Sequence, residues 1–251
     1  MKRSMKGVLA AGSMVASLAL SLFLAAPAAA LPIPGTGLDI SGGADVVSDY
    51  RFRGYSQTDE KAAFQPYIDI SHESGLYFGI WASTIDLYDD DPIEGIEDGH
   101  DVEIDYTAGW SGEVAPGTTL DAAVTYYTYP GFKGFAMDYA ELIGSVAQQI
   151  GPIEAKLGGG YFWNQSATGD DGVYLYGEVS TGIPTTPITV NARLGHQAYG
   201  VNYGSPDYWE WEIGASYSLG PVTAGLAYVD TDMGNLHTAD AGLVAKIGVA
   251  F

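Results

Sequence analysis

A chain of 251 residues with 31 Asp and Glu against 10 Lys and Arg carries a formal net charge of −21. Such a surface repels nucleic acid, so DNA and RNA are set aside as partners. Aromatics at 12% and a hydrophobic class at 47% are too abundant for an acidic disordered chain, and the absence of cysteine removes disulfides, thiolate metal sites and thiol nucleophiles.

The chain opens with Lys2, Arg3 and Lys6, then an almost wholly apolar or small run from Val8 to Ala26. Ala28 and Ala30 meet the small-x-small rule for signal-peptidase cleavage. The pattern predicts a cleavable export signal over residues 1–30, Sec-dependent secretion, and one mature domain over 31–251. Losing three bases leaves seven against 31 acids, a net −24. After the signal no apolar run is long enough for a membrane helix, so a mature chain in a membrane must cross it as a closed sheet.

From Leu38 onward the dominant pattern is period-2 alternation in segments of about ten residues. Candidate strands lie near 38–48, 64–72, 76–86, 102–111, 119–129, 139–149, 153–163, 172–182, 188–197, 208–218, 222–230 and 241–251. In the fourth, Val102, Ile104, Tyr106, Ala108 and Trp110 alternate with Glu103, Asp105, Thr107 and Gly109. Short Gly/Pro links at 73–75, 116–117, 151–152, 184–187 and 220–221 alternate with longer polar ones at 50–63, 87–101, 198–207 and 231–240. Short periplasmic turns and long outer loops give a membrane barrel this order. The fold class predicted is all-β: a transmembrane, antiparallel, up-and-down barrel of about twelve strands, with both mature termini at the periplasmic end.

On that topology Tyr126, Tyr161, Trp163, Trp209 and Tyr228 fall at the outer rim on the lipid side, and Trp110, Tyr217 and Phe251 at the inner rim, as two interfacial aromatic girdles require. Phe251, ending an alternating strand, resembles the signal read by barrel-assembly machinery. Pro66 fits poorly, because a closed barrel has no edge to hold it; pairing is expected to begin after it, with Pro66 above the membrane or at a bulge.

Parity turns Asp45, Asp69, Glu103, Asp105, Asp121, Glu141, Glu154, Glu178, Glu210 and Glu212 inward against Lys156, Arg193 and Lys246. Ten carboxylates with three bases are costly in a dry wall. They point to a wet lumen that attracts cations, or to acids paired with bases, tyrosines and loop arginines in a plugged barrel. Glu103, Asp105, Asp121, Glu141, Glu154, Lys156, Glu178, Arg193, Glu210, Glu212 and Lys246 are the selectivity candidates. Arg51 and Arg53, flanking Phe52, can form a constriction with lumen acids, grip lipopolysaccharide phosphate, or pair locally with Asp49, Asp59 or Glu60.

The 86–101 loop gathers Asp86, Asp89, Asp90, Asp91, Glu94, Glu97, Asp98 and Asp101 without EF-hand spacing, so it reads as a solvated acidic loop, with divalent cation binding as a secondary possibility. The four histidines form no ordered motif with a nucleophile; His100 and His237, with Asp98 and Asp240, are the nearest approach to an outer-loop hydrolase. Gly158, Gly159 and Gly160 lie mid-strand with no following helix, so they serve bending or close packing and not phosphate binding. No cofactor or metal is implied, and the chain is not expected to be an enzyme.

The stretch from Val47 to Asp59 (VSDYRFRGYSQTD) and that from Tyr67 to Ser83 (YIDISHESGLYFGIWAS) look like the opening of the TorF-type porin family of Gram-negative bacteria, and 109–113 (GWSGE) and 127–131 (YTYPG) are similar to the same family's pattern. The resemblance implies an outer-membrane barrel with a pore function. The expected role is a channel for passive diffusion of small hydrophilic solutes, cation-preferring through its acids. A plugged structural or adhesion barrel, an outer-membrane hydrolase and a soluble lipid-binding barrel stand as alternatives. Expected partners are outer-membrane lipids, lipopolysaccharide, the assembly machinery, and small solutes or ions.

Intact-mass spectrometry of the protein from a Gram-negative host should give a mature chain beginning at Leu31; retention of Met1 to Ala30 would contradict the export reading.

Overall fold

The computed structural model describes residues 30–86, 102–131, 136–200, 206–234 and 236–251; the signal segment and all but Asp86 of the acidic 86–101 loop lie outside them. The fold is all β apart from one 3-10 turn at His237–Ala239. In chain order the strands are β1 (Leu31–Ile33), β2 (Leu38–Val47), β3 (Arg51–Phe52), β4 (Tyr55–Ser56), β5 (Ala63–His72), β6 (Leu76–Thr84), β7 (Val102–Ala115), β8 (Thr118–Thr128), β9 (Tyr139–Ile150), β10 (Ile153–Phe162), β11 (Gly172–Gly182), β12 (Ile188–Tyr199), β13 (Tyr208–Leu219), β14 (Val222–Thr231) and β15 (Gly242–Ala250).

Twelve of these, β2 and β5 through β15, form an antiparallel meander in which each pairs with its sequence neighbours. Closure occurs where β15 meets β2, from Lys246 opposite Val47 to Ala250 opposite Gly43. Below that stretch β1 takes over the same edge of β2, with Leu31 opposite Ile40 and Ile33 opposite Leu38. Phe251 bridges the two segments: its N–H donates to the Gly42 carbonyl at 2.9 Å and its own carbonyl accepts from Gly42 at 3.1 Å. Closure removes the sheet edge, which in hydrocarbon is a condition of existence, because no water is present there to satisfy a free N–H or C=O.

The strand ends without long connections are joined by tight turns. Gly151 (φ +61) and Gly220 (φ +58) adopt the left-handed conformation that only glycine enters cheaply, each followed by a proline immediately before the next strand begins. These turns, with 73–75, 116–117 and 183–187, share one end of the barrel with both ends of the described chain. The longer connections gather at the other end, called the outer end below.

Burial follows the period of two. Leu157, Leu175, Ile213, Leu243 and Ile247 are more than half exposed on the outside, while Glu141, Glu210 and Glu212 on the inside are no more than 1% exposed. An apolar exterior around a charged interior is the reverse of a water-soluble β-sandwich. The aromatic girdles fall where alternation places them: Tyr126, Tyr161, Trp163, Trp209 and Tyr228 at the outer ends of strands, and Trp110, Tyr217 and Phe251 at the turn end, all exposed.

Pro66 departs from expectation. It lies inside β5 and stays in register opposite Ala44 of β2, with neither a bulge nor a delayed start on that side. The ladder to β6 instead begins at Tyr67, opposite Trp81. The missing donor therefore coincides with a local parting of β5 from β6, and the barrel closes around the proline through its other neighbour.

Ile213→Arg should cost about 2–4 kcal/mol of folding free energy in phospholipid vesicles, as expected for a cation on the lipid face at mid-depth, while Ile213→Leu should be near neutral. Urea titrations of folding, followed by heat-modifiable electrophoretic mobility, measure both. Equal stabilities would place Ile213 away from lipid.

Candidate functional site

The lumen is not an open tube. The connection from β2 to β5 turns back into the barrel as a miniature hairpin, with Arg51 opposite Ser56 and Phe52 opposite Tyr55. Its two turn residues, Arg53 (φ +50) and Gly54 (φ +88), are both left-handed, as a type I′ two-residue turn requires. Glycine takes this conformation freely, whereas arginine pays for it, so Arg53 must be held in place by its side chain.

That side chain reaches across the lumen. Arg53 Nη2 donates to Glu141 Oε1 and Oε2 of β9 at 2.6 and 2.7 Å, and Nη1 donates to Gln197 Oε1 of β12 at 2.8 Å. The guanidinium is sandwiched between the Phe52 ring (4.8 Å) and the Tyr174 ring (4.4 Å). The Tyr127 hydroxyl donates to Glu141 Oε2 at 3.1 Å, and the Tyr208 hydroxyl to the Arg53 carbonyl at 3.1 Å. Gly160 leaves the space: a Cβ there would collide with the Glu141 carboxylate and lie 3.1 Å from Arg53 Nη2. The close packing expected of the Gly158–Gly160 run is therefore lumen packing at Gly158 and Gly160, a Cβ at Gly158 meeting the Tyr176 ring at 2.6 Å, while Gly159 packs on the outer face against Leu175.

Arg51 anchors the base of the hairpin. It bonds Asp49 Oδ2 at 2.5 Å, Glu60 Oε1 at 3.2 Å, and the carbonyls of Thr238 and Asp240 at 3.2 and 2.9 Å. Asp49 in turn accepts from Ser56 Oγ at 2.6 Å. Of the three roles weighed for these arginines, local pairing describes Arg51, with Asp49 and Glu60 but not Asp59, and a constriction with a lumen acid describes Arg53. Both are buried, so neither is placed to grip a phosphate at the membrane surface. Asp59 pairs instead with Lys61, at 3.3 Å, and Lys61 also reaches Asp86 at 2.7 Å.

A second charged cluster lies beside the first. Arg193 of β12 pairs with Glu210 at 3.0 Å and Glu212 at 3.0 Å, both on β13. Tyr174 donates to Glu210, and Asn191 to Glu212 at 2.9 Å. Glu103 and Asp105 of β7 are also buried; Glu103 accepts from Tyr129 at 3.2 Å, while both Asp105 carboxylate oxygens lack a hydrogen-bond partner among the described residues. Tyr50, at the root of the hairpin, sits over this pair. Burial pushes its phenol well above the ordinary range, and the charges of Glu103 and Asp105 push the same way.

Toward the turn end the interior loosens. Asp121, Glu154, Lys156 and Glu178 are half-buried, Asp121 accepts from Tyr77 at 3.1 Å, and Lys246 pairs with Asp45 at 3.1 Å. All eleven selectivity candidates thus face inward, but they divide by depth. Glu103, Asp105, Glu141, Arg193, Glu210 and Glu212 are buried around the hairpin, Asp121, Glu154, Lys156 and Glu178 line the more open half, and Lys246 is buried against Asp45.

The histidines form no catalytic arrangement among the described residues. His72 Nδ1 caps a turn with the Ser74 hydroxyl at 2.8 Å and its N–H at 3.1 Å. His196 packs outside against Trp209, with ring centroids 4.5 Å apart. His237 lies 3.9 Å from Asp59; His100 and Asp98 fall outside the described residues. No group of three or more His, Asp or Glu among the described residues is arranged to hold a metal ion.

Residues 33–247 match the model of a family described as bacterial proteins of unknown function, Gcw_chp. The chain belongs to this family. The match carries no TorF-type designation, which stays at the level of resemblance. No curated protein matches the sequence. Among solved structures this Gcw_chp chain is similar in fold to the KdgM porin, with a TM-score of 0.55 at 6% identity over 84% of this chain and 97% of that one. It is also similar to the NanC porin, with a TM-score of 0.55 at 12% identity over 85% and 98%. A KdgM porin in complex with disordered oligogalacturonate aligns with a TM-score of 0.54 at 7% identity, over 84% and 97%. The shared feature is the fold of an outer-membrane porin.

Inward residues that alternation left unremarked are the tyrosines. Tyr127, Tyr174, Tyr176 and Tyr208 are buried, and each shares strand parity with an acid already assigned inward or neighbours an outward ring, so the signal was present.

Removing either Arg53 or Glu141 leaves the other as an unpaired buried charge, a loss of about 3–5 kcal/mol. In urea titrations Arg53→Ala and Glu141→Ala should each destabilise the barrel, and the double variant should lose clearly less than the sum. Strict additivity would show that the two side chains do not interact.

Proposed function

We propose that this protein is a narrow outer-membrane channel that passes small hydrophilic solutes by diffusion. The observation that carries this reading is the inversion of the barrel: an apolar, aromatic-girdled exterior encloses a lumen lined with acidic and basic side chains. A structural protein has no need of that many inward charges, whereas a water path does. The porin fold of KdgM and NanC supports the same reading by analogy of architecture. In this orientation the short turns and both ends of the mature chain face the periplasm, the long loops face outward, and Phe251 is the residue offered to the assembly machinery. The two aromatic girdles meet phospholipid on one leaflet and lipopolysaccharide on the other.

Selectivity is assigned to the looser half. There Glu154, Glu178 and Asp121 outweigh Lys156, while in the outer half Glu141, Glu210 and Glu212 are paired with Arg53 and Arg193 and Glu103 and Asp105 are enclosed away from the solute path. The surplus of negative charge favours cations.

A second reading is favoured by one observation, the Arg53–Glu141 clasp. Against Phe52 and Arg53 lies a void of about 10 Å³, lined by Tyr127, Tyr174 and Tyr176 among others, no more than one water occupies. On this reading the barrel is closed at rest and conducts when the hairpin shifts, or serves as a structural wall.

Purified protein in liposomes should cause swelling in isotonic pentose, and in planar bilayers under a KCl gradient the reversal potential should report cation preference. Glu154→Gln with Glu178→Gln should move that potential toward zero. Anion preference would defeat the selectivity assignment, and absence of both swelling and conductance would favour the closed barrel.

A further inference from the structure

Above the hairpin lies a cavity of about 580 Å³, floored by Phe52 and Arg53 and walled by the outer ends of the strands and their loops. Its composition is unlike the rest of the molecule. In a chain with 31 acidic residues, no Asp or Glu is among the described residues that line it, and its one formal charge is Arg53, whose guanidinium is already matched by Glu141. The described lining is therefore close to neutral.

The wall is built of rings in series. Tyr139 of β9 meets Phe162 of β10 with centroids 5.9 Å apart; Phe162 meets Tyr199 of β12 at 6.4 Å; Tyr199 meets Tyr208 of β13 at 6.4 Å; and Tyr208 meets Tyr55 of the hairpin at 5.2 Å. Five segments of the chain, distant in sequence, each contribute one ring to a continuous arc. Between them stand amide and hydroxyl groups of Gln57, Gln197 and Thr168. Faces of aromatic rings next to uncharged hydrogen-bonding groups suit a ligand with the same two properties, flat apolar C–H faces and a rim of hydroxyls.

We infer that this outer cavity is a binding site for a neutral saccharide of two or three rings. The volume lies within the range of small-molecule sites. Gln197 and Thr168 are already engaged by the protein's own hydrogen bonds, so the ring faces carry most of the contact and the remaining oxygen lone pairs of the wall accept from the ligand's hydroxyls. Among the described lining residues an acidic sugar finds no spare cation, because Arg53 is taken. The inference deepens the channel reading by naming a solute class, and it rests on that reading only for the sugar's onward passage, since binding needs no open pore.

Isothermal titration of the detergent-solubilised mature protein tests it, with maltotriose, cellotriose, xylotriose and chitotriose as neutral probes, trigalacturonate as the acidic comparator and 4-nitrophenol as an apolar ring. At least one neutral trisaccharide should bind saturably and more tightly than trigalacturonate or 4-nitrophenol. Tyr199→Leu and Phe162→Leu should each weaken that binding about tenfold, while Tyr199→Phe, which keeps the ring, should retain most of it. Heat-modifiable mobility confirms that each variant is folded, and Tyr139→Leu replaces any that is not. Preference for trigalacturonate or 4-nitrophenol, binding unchanged by loss of the rings, or no binding by any neutral probe overturns the inference. Liposome swelling is read separately, so a protein that binds the sugar but does not swell vesicles retires the channel and keeps the site.

Discussion

Every feature of this protein answers to one constraint: in a hydrocarbon layer the backbone must satisfy all its own hydrogen bonds. A sheet meets that demand only by closing on itself, and closure fixes the rest. Twelve strands pair around the circle and β15 returns to β2. Each strand then has one face to lipid and one to the axis, and side chains sort strictly by parity. Even the exception obeys, for Pro66 is accommodated where β5 and β6 part and its other neighbour keeps the ladder intact.

The interior poses the opposite problem. Carboxylates that alternation forces inward need either water or partners, and most receive one or the other according to depth, Asp105 being buried with neither carboxylate oxygen partnered among the described residues. At the turn end Asp121, Glu154 and Glu178 keep some exposure. At the outer end cations are brought to the acids: Arg193 from the wall, and Arg53 from a loop folded back into the barrel. The positive φ of Arg53 is a small backbone cost offset by the ion pair in which Nη2 reaches both Glu141 carboxylate oxygens and by the two aromatic rings that flank the guanidinium.

Much of this was legible in the sequence because alternation is a local signal. Glu103, Asp105, Glu210 and Glu212 reveal their side of the sheet through the residues next to them, and turn chemistry at Gly151 and Gly220 marks where each hairpin ends. What escaped is non-local. Nothing near Arg53 in the chain indicates that its partner is Glu141, 88 positions on, or that Tyr55, Tyr139, Phe162, Tyr199 and Tyr208 share one wall. The stretch from Val47 to Asp59 stood out by its residues alone, yet a short polar loop in a sequence cannot announce that it points inward. Periodicity assigns a face, but distance around a closed circle depends on every strand in between.

The position of that inward hairpin has a consequence for biogenesis. It follows β2, the first strand of the cylinder, yet Arg51 bonds carbonyls at Thr238 and Asp240, just ahead of the last strand. Across the same junction Ser48 and Ala245 exchange hydrogen bonds of 2.8 and 2.9 Å, and Lys246 meets Asp45. The stopper is therefore stitched to both lips of the seam. It cannot lock while the cylinder is still open, so the event that makes the wall continuous is also the one that fixes the hairpin across the lumen.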